Sequence, residues 1–405
     1  MSNLNLHIKI ALGYFSIAAL LGAVLRAFPL IEIPINYKFF IHTHSHIALL
    51  GWVYLALTTI IYKFFAQAPH IDRKYKRIFW FTQLTLVGML LTFPFTGYAM
   101  FSIIFSTLFL FASYWFFWFM TSHVKPELKS TNSFKCIKIS LWYLTLSSLG
   151  PWALGGIMNT LGAESAWYRI AIYFYLHFLY NGFMMMALIG LFMYLLQKRQ
   201  IIIPQHSFKK FFWSINSAIF LSFFLSTLFA QPLLLFNALG GIGAILQLVA
   251  FGMFIKFLFQ SKEKTMSLFS PFQKMLLQTV VILLCIKMLL QILSTLPYFA
   301  NLAVTIMDFT IGYLHWTFLG VVTIFLFFFL DYFGFLKISK KGYFLYATGF
   351  ILTELLIFYK GIAAWQGFSI FDGYFEILAV SSFLIAISLL VLFFENLGPK
   401  SKHDD

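Results

Sequence analysis

The stretch His42-Thr-His-Ser-His-Ile-Ala-Leu-Leu-Gly-Trp52 contains a pattern, a histidine followed five residues later by a glycine, that occurs three times in this chain. The three copies, HIALLG, HFLYNG and HWTFLG, occupy residues 46–51, 177–182 and 315–320. Each lies in an apolar run, and the histidines are 131 and 138 residues apart. Because an imidazole is costly to bury in hydrocarbon without a partner, membrane-embedded histidines are candidate functional residues. Their nearly even spacing predicts one site built by an internally repeated scaffold.

The composition is typical of a membrane protein. Of the 405 residues, 61% are hydrophobic, only 10% are charged, and 54 are phenylalanine. A helix that crosses about 30 Å of hydrocarbon needs about 20 apolar residues. Twelve runs approach this length, near 8–30, 38–64, 77–98, 100–121, 137–160, 167–196, 210–230, 233–259, 272–294, 299–331, 342–360 and 374–395. We therefore predict an all-α integral membrane protein with twelve transmembrane helices in a single transmembrane domain, residues 1–405.

The positive charge marks topology rather than a nucleic-acid surface. The net charge is +15, and lysine and arginine cluster in every second loop, near 63–77, 125–138, 198–210, 256–274 and 337–341. Because cytoplasmic loops carry the excess of lysine and arginine, these loops are predicted to be cytoplasmic, with both termini on the same side. The pattern favours a multi-pass protein of the bacterial inner (cytoplasmic) membrane. The expected partner of the basic loops is the lipid bilayer, not nucleic acid.

The histidines of the three copies fall on the second, sixth and tenth predicted helices. A spacing of four helices predicts three parallel four-helix repeats, approximately 8–121, 137–259 and 272–395. All three helices run from the outside inwards, which places the histidines in the outer half of the bilayer. His315 lies deepest by residue count, so the tenth run is expected to contain extra outer turns that bring it level with the others.

The first copy is preceded by two further histidines. On a helix, His42 and His46 are four residues apart and share a face, whereas His44 points roughly the other way. Imidazole is a suitable ligand for haem iron, copper and zinc, so His42, His44, His46, His177 and His315 are candidate metal ligands. Two interpretations of the glycines stay open, since Gly51 and Gly320 either let helices pack closely or leave a flat patch for a porphyrin.

Metal-ligand histidines on the second, sixth and tenth of twelve helices resemble subunit I of the haem–copper oxidase superfamily. The resemblance implies that His46 and His315 are the axial ligands of a low-spin haem, and that His177 lies on the helix that supplies a copper ligand. The run HTHSHIALLGW also looks like the His-x-His-x-Gly-Ala-Leu-Gly-Trp run of the cbb3-type branch, where it lies on the tenth helix. A b-type haem, with copper as a second metal, is the cofactor set that this resemblance implies.

Several family motifs are absent. The His-Pro-Glu-Val-Tyr run of the sixth helix is replaced by HFLYN (177–181), residues 210–230 contain no histidine, and the tenth helix has only His315. A full binuclear centre cannot be built from the remaining residues, so oxygen-reductase activity is not expected. The chain is more similar to the NnrS-type haem and copper membrane proteins. The roles that this implies are electron transfer, haem or metal handling, or sensing of a diatomic gas.

Four other polar residues are predicted to lie within the membrane or at its edge. Arg26 ends the first helix, where its guanidinium either pairs with a haem propionate or extends to the interface. For Glu354, and for Lys287 with Gln291, a structural pairing is favoured over a proton path, because nothing in the sequence connects them to the histidines.

Two alternatives to a haem protein stay open. The first is a multi-pass transporter that uses an intramembrane histidine cluster. The second is a copper or zinc membrane protein without haem, in which His42, His44 and His46 form the main site. A redox partner or additional membrane subunits would accompany the haem-binding function.

Overall fold

A computed structural model describes residues 1–230 and 234–398, so residue 233 of the eighth predicted span and the chain beyond residue 398 lie outside the described part. The described residues form helices and no β-strand. The α-helices are α1 Leu4–Ala27, α2 Tyr37–His46, α3 Leu55–Phe65, α4 Asp72–Thr96, α5 Met100–His123, α6 Asn132–Ser147, α7 Leu149–Thr160, α8 Ala166–His177, α9 Met185–Lys198, α10 Gln205–Ser222, α11 Leu234–Gln260, α12 Lys262–Met266, α13 Pro271–Leu293, α14 Pro297–Thr305, α15 Met307–His315, α16 Thr323–Tyr332, α17 Lys340–Gln366 and α18 Tyr374–Glu395. Three π-helical segments complete the membrane helices, π1 Ile47–Tyr54, π2 Phe178–Met184 and π3 Trp316–Val322.

Eleven helical stretches within the described residues are long and apolar enough to cross a membrane. The prediction of an all-α, multi-pass membrane protein is confirmed at this level. The fifth predicted run, 137–160, is divided at Ser148, three residues before Pro151, into α6 and α7. Neither piece alone is long enough to cross the hydrocarbon, because α6 has 16 residues and α7 has 12. Proline lacks an amide donor and crowds the preceding turn, which accounts for a break at this place.

Two boundaries within the apolar stretches agree with the sequence predictions. The chain turns after α4, where Gly97 caps the helix with φ +57°, a conformation that favours glycine. The tenth run, 299–331, contains a separate outer helix, α14, that ends before Ile306. His315 therefore lies at the ninth position of its own helix, α15. The separate helix α14 explains the greater residue count before His315, and the depth of His315 relative to the other two histidines stays a prediction.

The chain divides into two compact units, Met1–His123 with Thr323–Asp405 and Val124–Val322. In the first unit, α1 packs against α2, α3, π1 and α18, and α17 packs against α18. Trp52 is at the centre of this core. Its ring stacks on Phe15 with centroids 4.8 Å apart, and its indole N–H donates to Thr323 Oγ1 at 3.0 Å. The indole donor is thereby satisfied in an apolar interior.

In the second unit, α6 packs against α9 and π2, α10 packs against α11, and α13 packs against π3. Polar side chains join these helices within the core. The Tyr143 hydroxyl of α6 donates to Asn216 Oδ1 of α10 at 2.8 Å, and the indole N–H of Trp316 donates to the Leu283 carbonyl of α13 at 2.9 Å. Such bonds between membrane helices add to the packing of small and apolar side chains.

Large apolar side chains are exposed along both units. A soluble monomer rarely exposes so much contiguous apolar surface, whereas a bilayer solvates it. Contact with lipid therefore accounts for the exposed rings and aliphatic chains, which include Trp80, Leu91, Phe101, Trp118, Trp213, Ile245, Ile282, Leu355, Val380 and Phe394.

Candidate metal and cofactor site

Each of the three motif histidines occupies the same local position. His46 ends α2, His177 ends α8 and His315 ends α15, and in each case the next residue begins a π-helical segment. A π-helical segment widens the helix by bonding residue i to residue i+5, is rare, and frequently marks a functional site. The recurrence of this arrangement three times is the strongest structural sign that the motif is one feature repeated.

The helix that carries His42, His44 and His46 starts at an asparagine cap. Asn36 Oδ1 accepts from the amides of Lys38 and Phe39 at 3.0 and 3.3 Å, which satisfies two of the free donors of the first turn. This cap sets where α2 begins and therefore which faces its histidines occupy.

The rings of His42 and His46 share one face of α2, as the spacing predicts. Both contact Tyr98, with ring centroids 4.6 and 6.0 Å from it, and His46 also stacks on Phe93 at 4.6 Å. Phe93 and Tyr98 flank the turn after α4. His46 is thus held among aromatic rings, in a setting that restricts its side-chain rotation.

One ring nitrogen of His46 is fixed by the backbone of its own helix. The His42 carbonyl accepts from His46 Nδ1 at 2.8 Å. Because a carbonyl only accepts, the proton of the neutral ring is on Nδ1, and the lone pair is on Nε2. Metal-bound histidines commonly donate their other ring N–H to a backbone carbonyl in this way, which orients the ring and raises its basicity. His46 therefore has the tautomer of an Nε2 ligand.

His44 points to the opposite side of α2, also as predicted. Its Nδ1–H donates to the Ala18 carbonyl of α1 at 2.8 Å. Its ring covers Gly22, where an added Cβ would lie 2.9 Å from His44 Cε1. His44 thus ties α2 to α1, and the structure directs it away from the face shared by His42 and His46.

Tyrosine side chains cover the motif glycines of the first two copies. A Cβ at Gly51 would lie 2.8 Å from Tyr14 Cβ, and one at Gly182 would lie 2.6 Å from Tyr143 Cβ. Both tyrosines belong to the preceding long helix, α1 or α6. For these glycines the structure favours the interpretation of close helix packing over that of a patch left open for a porphyrin. Gly320 is buried within π3.

Gly182→Ala is expected to lower the free energy of unfolding by about 1–3 kcal/mol, since the Cβ of Tyr143 cannot move away without moving α6. Thermal unfolding of the purified protein in detergent measures this effect. Gly252→Ala in α11 is the matched control, because nothing lies within 4 Å of a Cβ built there. Equal unfolding midpoints for the two variants would contradict the packing role of Gly182.

Both ring nitrogens of His177 are engaged by the protein. Nε2–H donates to the Ile219 carbonyl of α10 at 2.8 Å, so the lone pair lies on Nδ1. That lone pair accepts from Asn181 Nδ2 at 3.3 Å. The tautomer is therefore opposite to that of His46. The lone pair that copper would need is used by Asn181, and His177 acts here as a polar link between α8 and α10.

Lys287 is connected to His177 through Asn181. Lys287 Nζ donates to Asn181 Oδ1 at 3.0 Å and to Gln291 Oε1 at 3.3 Å. Because a lysine ammonium only donates, Asn181 must present its oxygen to Lys287 and its NH₂ group to His177. These bonds agree with the structural pairing predicted for Lys287 and Gln291, whereas the connection of Lys287 to His177 through Asn181 was not predicted. The signal that sequence reasoning missed is Asn181, four residues after His177 on the same face.

The remaining predicted residues lie in different environments. His315 ends α15, and Thr317 in the following turn donates to the Tyr313 carbonyl at 2.9 Å. Arg26 lies in the last turn of α1, and Glu354 is buried in α17. The pairing of Arg26 with a haem propionate stays a prediction.

No group of three or more histidine, cysteine, aspartate or glutamate side chains converges on a common point in residues 1–230 and 234–398. A closed metal site with three or four protein ligands is therefore not preformed in this part of the chain. A haem differs in this respect, because the porphyrin supplies four ligands and the protein adds only one or two.

Comparison with known proteins yields neither a family model nor a curated protein that this chain matches.

Proposed function

We propose that this chain is an integral membrane haem protein in which Nε2 of His46 is an axial ligand of a b-type haem. The observation that carries the proposal is the bond from His46 Nδ1–H to the His42 carbonyl at 2.8 Å, which leaves the lone pair on Nε2. His315 as the second axial ligand, and copper as an additional metal, stay predictions from the resemblance to oxidase subunit I.

The residues around His46 fit an axial ligand. The ring is oriented by a backbone carbonyl and by the faces of Phe93 and Tyr98, and a π-helical segment begins at the next residue. Bound haem supplies a one-electron redox centre or an iron site for a diatomic gas. Electron transfer, haem handling and gas sensing are the activities that this chemistry supports, with a redox partner or further membrane subunits for the first.

The proposed architecture has twelve membrane helices, both termini in the cytoplasm and three parallel repeats, in a bacterial inner membrane. What supports the twelfth span is the apolar stretch formed by α6 and α7 together. What supports the repeats is the histidine that precedes each of the three π-helical segments. The alternation of basic loops supports the orientation.

The test compares the Soret absorbance, divided by the protein concentration, of a small set of variants. Each variant is purified in detergent after expression with a haem precursor. His46→Ala is expected to remove the band, whereas His206→Ala, an exposed histidine of α10, is the matched control and keeps it. His42→Ala also keeps it, because the backbone carbonyl and not the side chain of His42 orients His46. A Soret band of wild-type size in His46→Ala would overturn the proposal.

The same variants separate the two metal-based functions. With His44→Ala added to the set, a copper or zinc site formed by His42, His44 and His46 predicts that bound metal is lost in each of these three alanine variants and that no Soret band is present in any protein. Metal analysis of each sample, made alongside the spectrum, distinguishes the two functions. Bound copper or zinc without a Soret band favours the metal site, and a Soret band favours the haem.

A further inference from the structure

Lys287 is a charged side chain in the interior of the second unit. It lies at the seventeenth of the 23 positions of α13, far from the loops at either end, and its side chain is 2% exposed. Burying an ammonium group in hydrocarbon is costly unless a counter-charge accompanies it. The groups that surround Lys287 therefore indicate what this position binds.

The protein groups around the Lys287 ammonium are neutral. Asn181 Oδ1 and Gln291 Oε1 accept from it, and the rings of Tyr180 and Tyr313 lie with their centroids 5.9 and 5.6 Å from Nζ. Amide dipoles and ring faces stabilise a cation but carry no net charge. They leave the charge of the ammonium uncompensated.

The carboxylates of the second unit do not supply the missing charge. In the sequence from 124 to 322 they are Glu127, Glu164, Glu263 and Asp308, which lie in connections, in the short helix α12 and in the first turn of α15. Within the described residues none of them forms an ion pair with Lys287.

The cluster is also rich in hydrogen-bond donors. Both Asn181 and Lys287 carry N–H groups at this position. The NH₂ group of Asn181 further serves His177, and the Lys287 ammonium has three N–H donors but only two amide oxygens as acceptors. An added acceptor with a negative charge would satisfy both the third N–H and the charge.

We propose that the Lys287 ammonium binds a small monovalent inorganic anion of the halide class within the second unit. This site is independent of the haem proposed at His46, which belongs to the first unit. Phosphate and nucleotides do not fit it, because a single ammonium cannot match two or more negative charges in a buried setting.

The experiment is thermal unfolding of the full-length protein in detergent, followed by tryptophan fluorescence, as sodium chloride replaces sodium gluconate at constant ionic strength. A ligand that binds only the folded state raises the unfolding midpoint with a saturable dependence on its concentration. We expect a rise of about 2 °C or more in the wild type. Lys287→Met is expected to lose this rise, while Lys274→Met, in the first turn of the same helix, keeps it.

Lys287→Arg provides a second test if the methionine variant does not fold. It retains a cation of different shape, and the chloride-dependent rise is expected to persist with a changed half-saturation concentration. The proposal is overturned if the wild type shows no rise beyond the gluconate series, or if Lys287→Met keeps the full rise.

Discussion

Asn181→Leu is expected to lower the free energy of unfolding by about 3–5 kcal/mol, more than any other single substitution considered for this chain. The leucine side chain has the same number and branching of heavy atoms as asparagine but neither a donor nor an acceptor. The change leaves Nδ1 of His177 without its donor and removes one of the amide oxygens that hold the Lys287 ammonium. Each of these groups is then buried with an unsatisfied polar atom. The predicted result is poor folding yield and a strongly lowered unfolding midpoint in detergent.

Asn159→Leu is the matched control for this prediction. Asn159 lies on exposed α7, and its side chain bonds only to the Gly155 carbonyl of its own helix at 2.7 Å. Its replacement exposes an aliphatic side chain to lipid and is expected to change the midpoint little. Unfolding of Asn181→Leu at the same temperature as Asn159→Leu would show that the link between His177 and Lys287 does not stabilise the protein.

The second large effect concerns ligand chemistry at α2. His46→Gly is expected to abolish haem binding, and free imidazole added to the purified variant with haem is expected to restore the Soret band. The small molecule occupies the space of the missing ring and presents the same nitrogen lone pair to iron. A side chain that only supports the fold would not be replaced in this way, so rescue distinguishes a ligand from a packing residue.

His44→Gly is the companion variant for the rescue experiment. Because His44 bonds to the Ala18 carbonyl and packs on Gly22, its loss is expected to reduce thermal stability without removing haem, and imidazole should not change its spectrum. A His46→Gly protein that keeps its Soret band without imidazole would contradict the assignment of His46 as a ligand.

The membrane helices could be predicted from the sequence because their determinants are local. Apolar length specifies a span, and glycine and proline specify where one ends, as at Gly97. The predicted run 374–395 has the same bounds as α18, Tyr374–Glu395, and the run 342–360 lies within α17, Lys340–Gln366, which ends six residues later. The opposed directions of His44 and His46 follow from helical geometry alone.

The chemistry of individual histidines could not be predicted, because it depends on partners that are distant in sequence. His46 and His177 belong to the same motif, yet the first bonds to its own helix and the second to the Ile219 carbonyl, 42 residues away. The tautomer follows from these partners. The π-helical segments are likewise invisible in the composition, since a widened turn depends on packing against neighbouring helices rather than on residue type.

The most direct test of a haem on His46 is a pyridine haemochrome assay on the wild-type protein, purified in detergent after expression with a haem precursor. We predict the spectrum of haem b, with about one haem bound per protein chain. Protein that folds, shows a sharp unfolding transition and contains no haem under these conditions would contradict the assignment. His46 would then be a polar packing residue of the first unit.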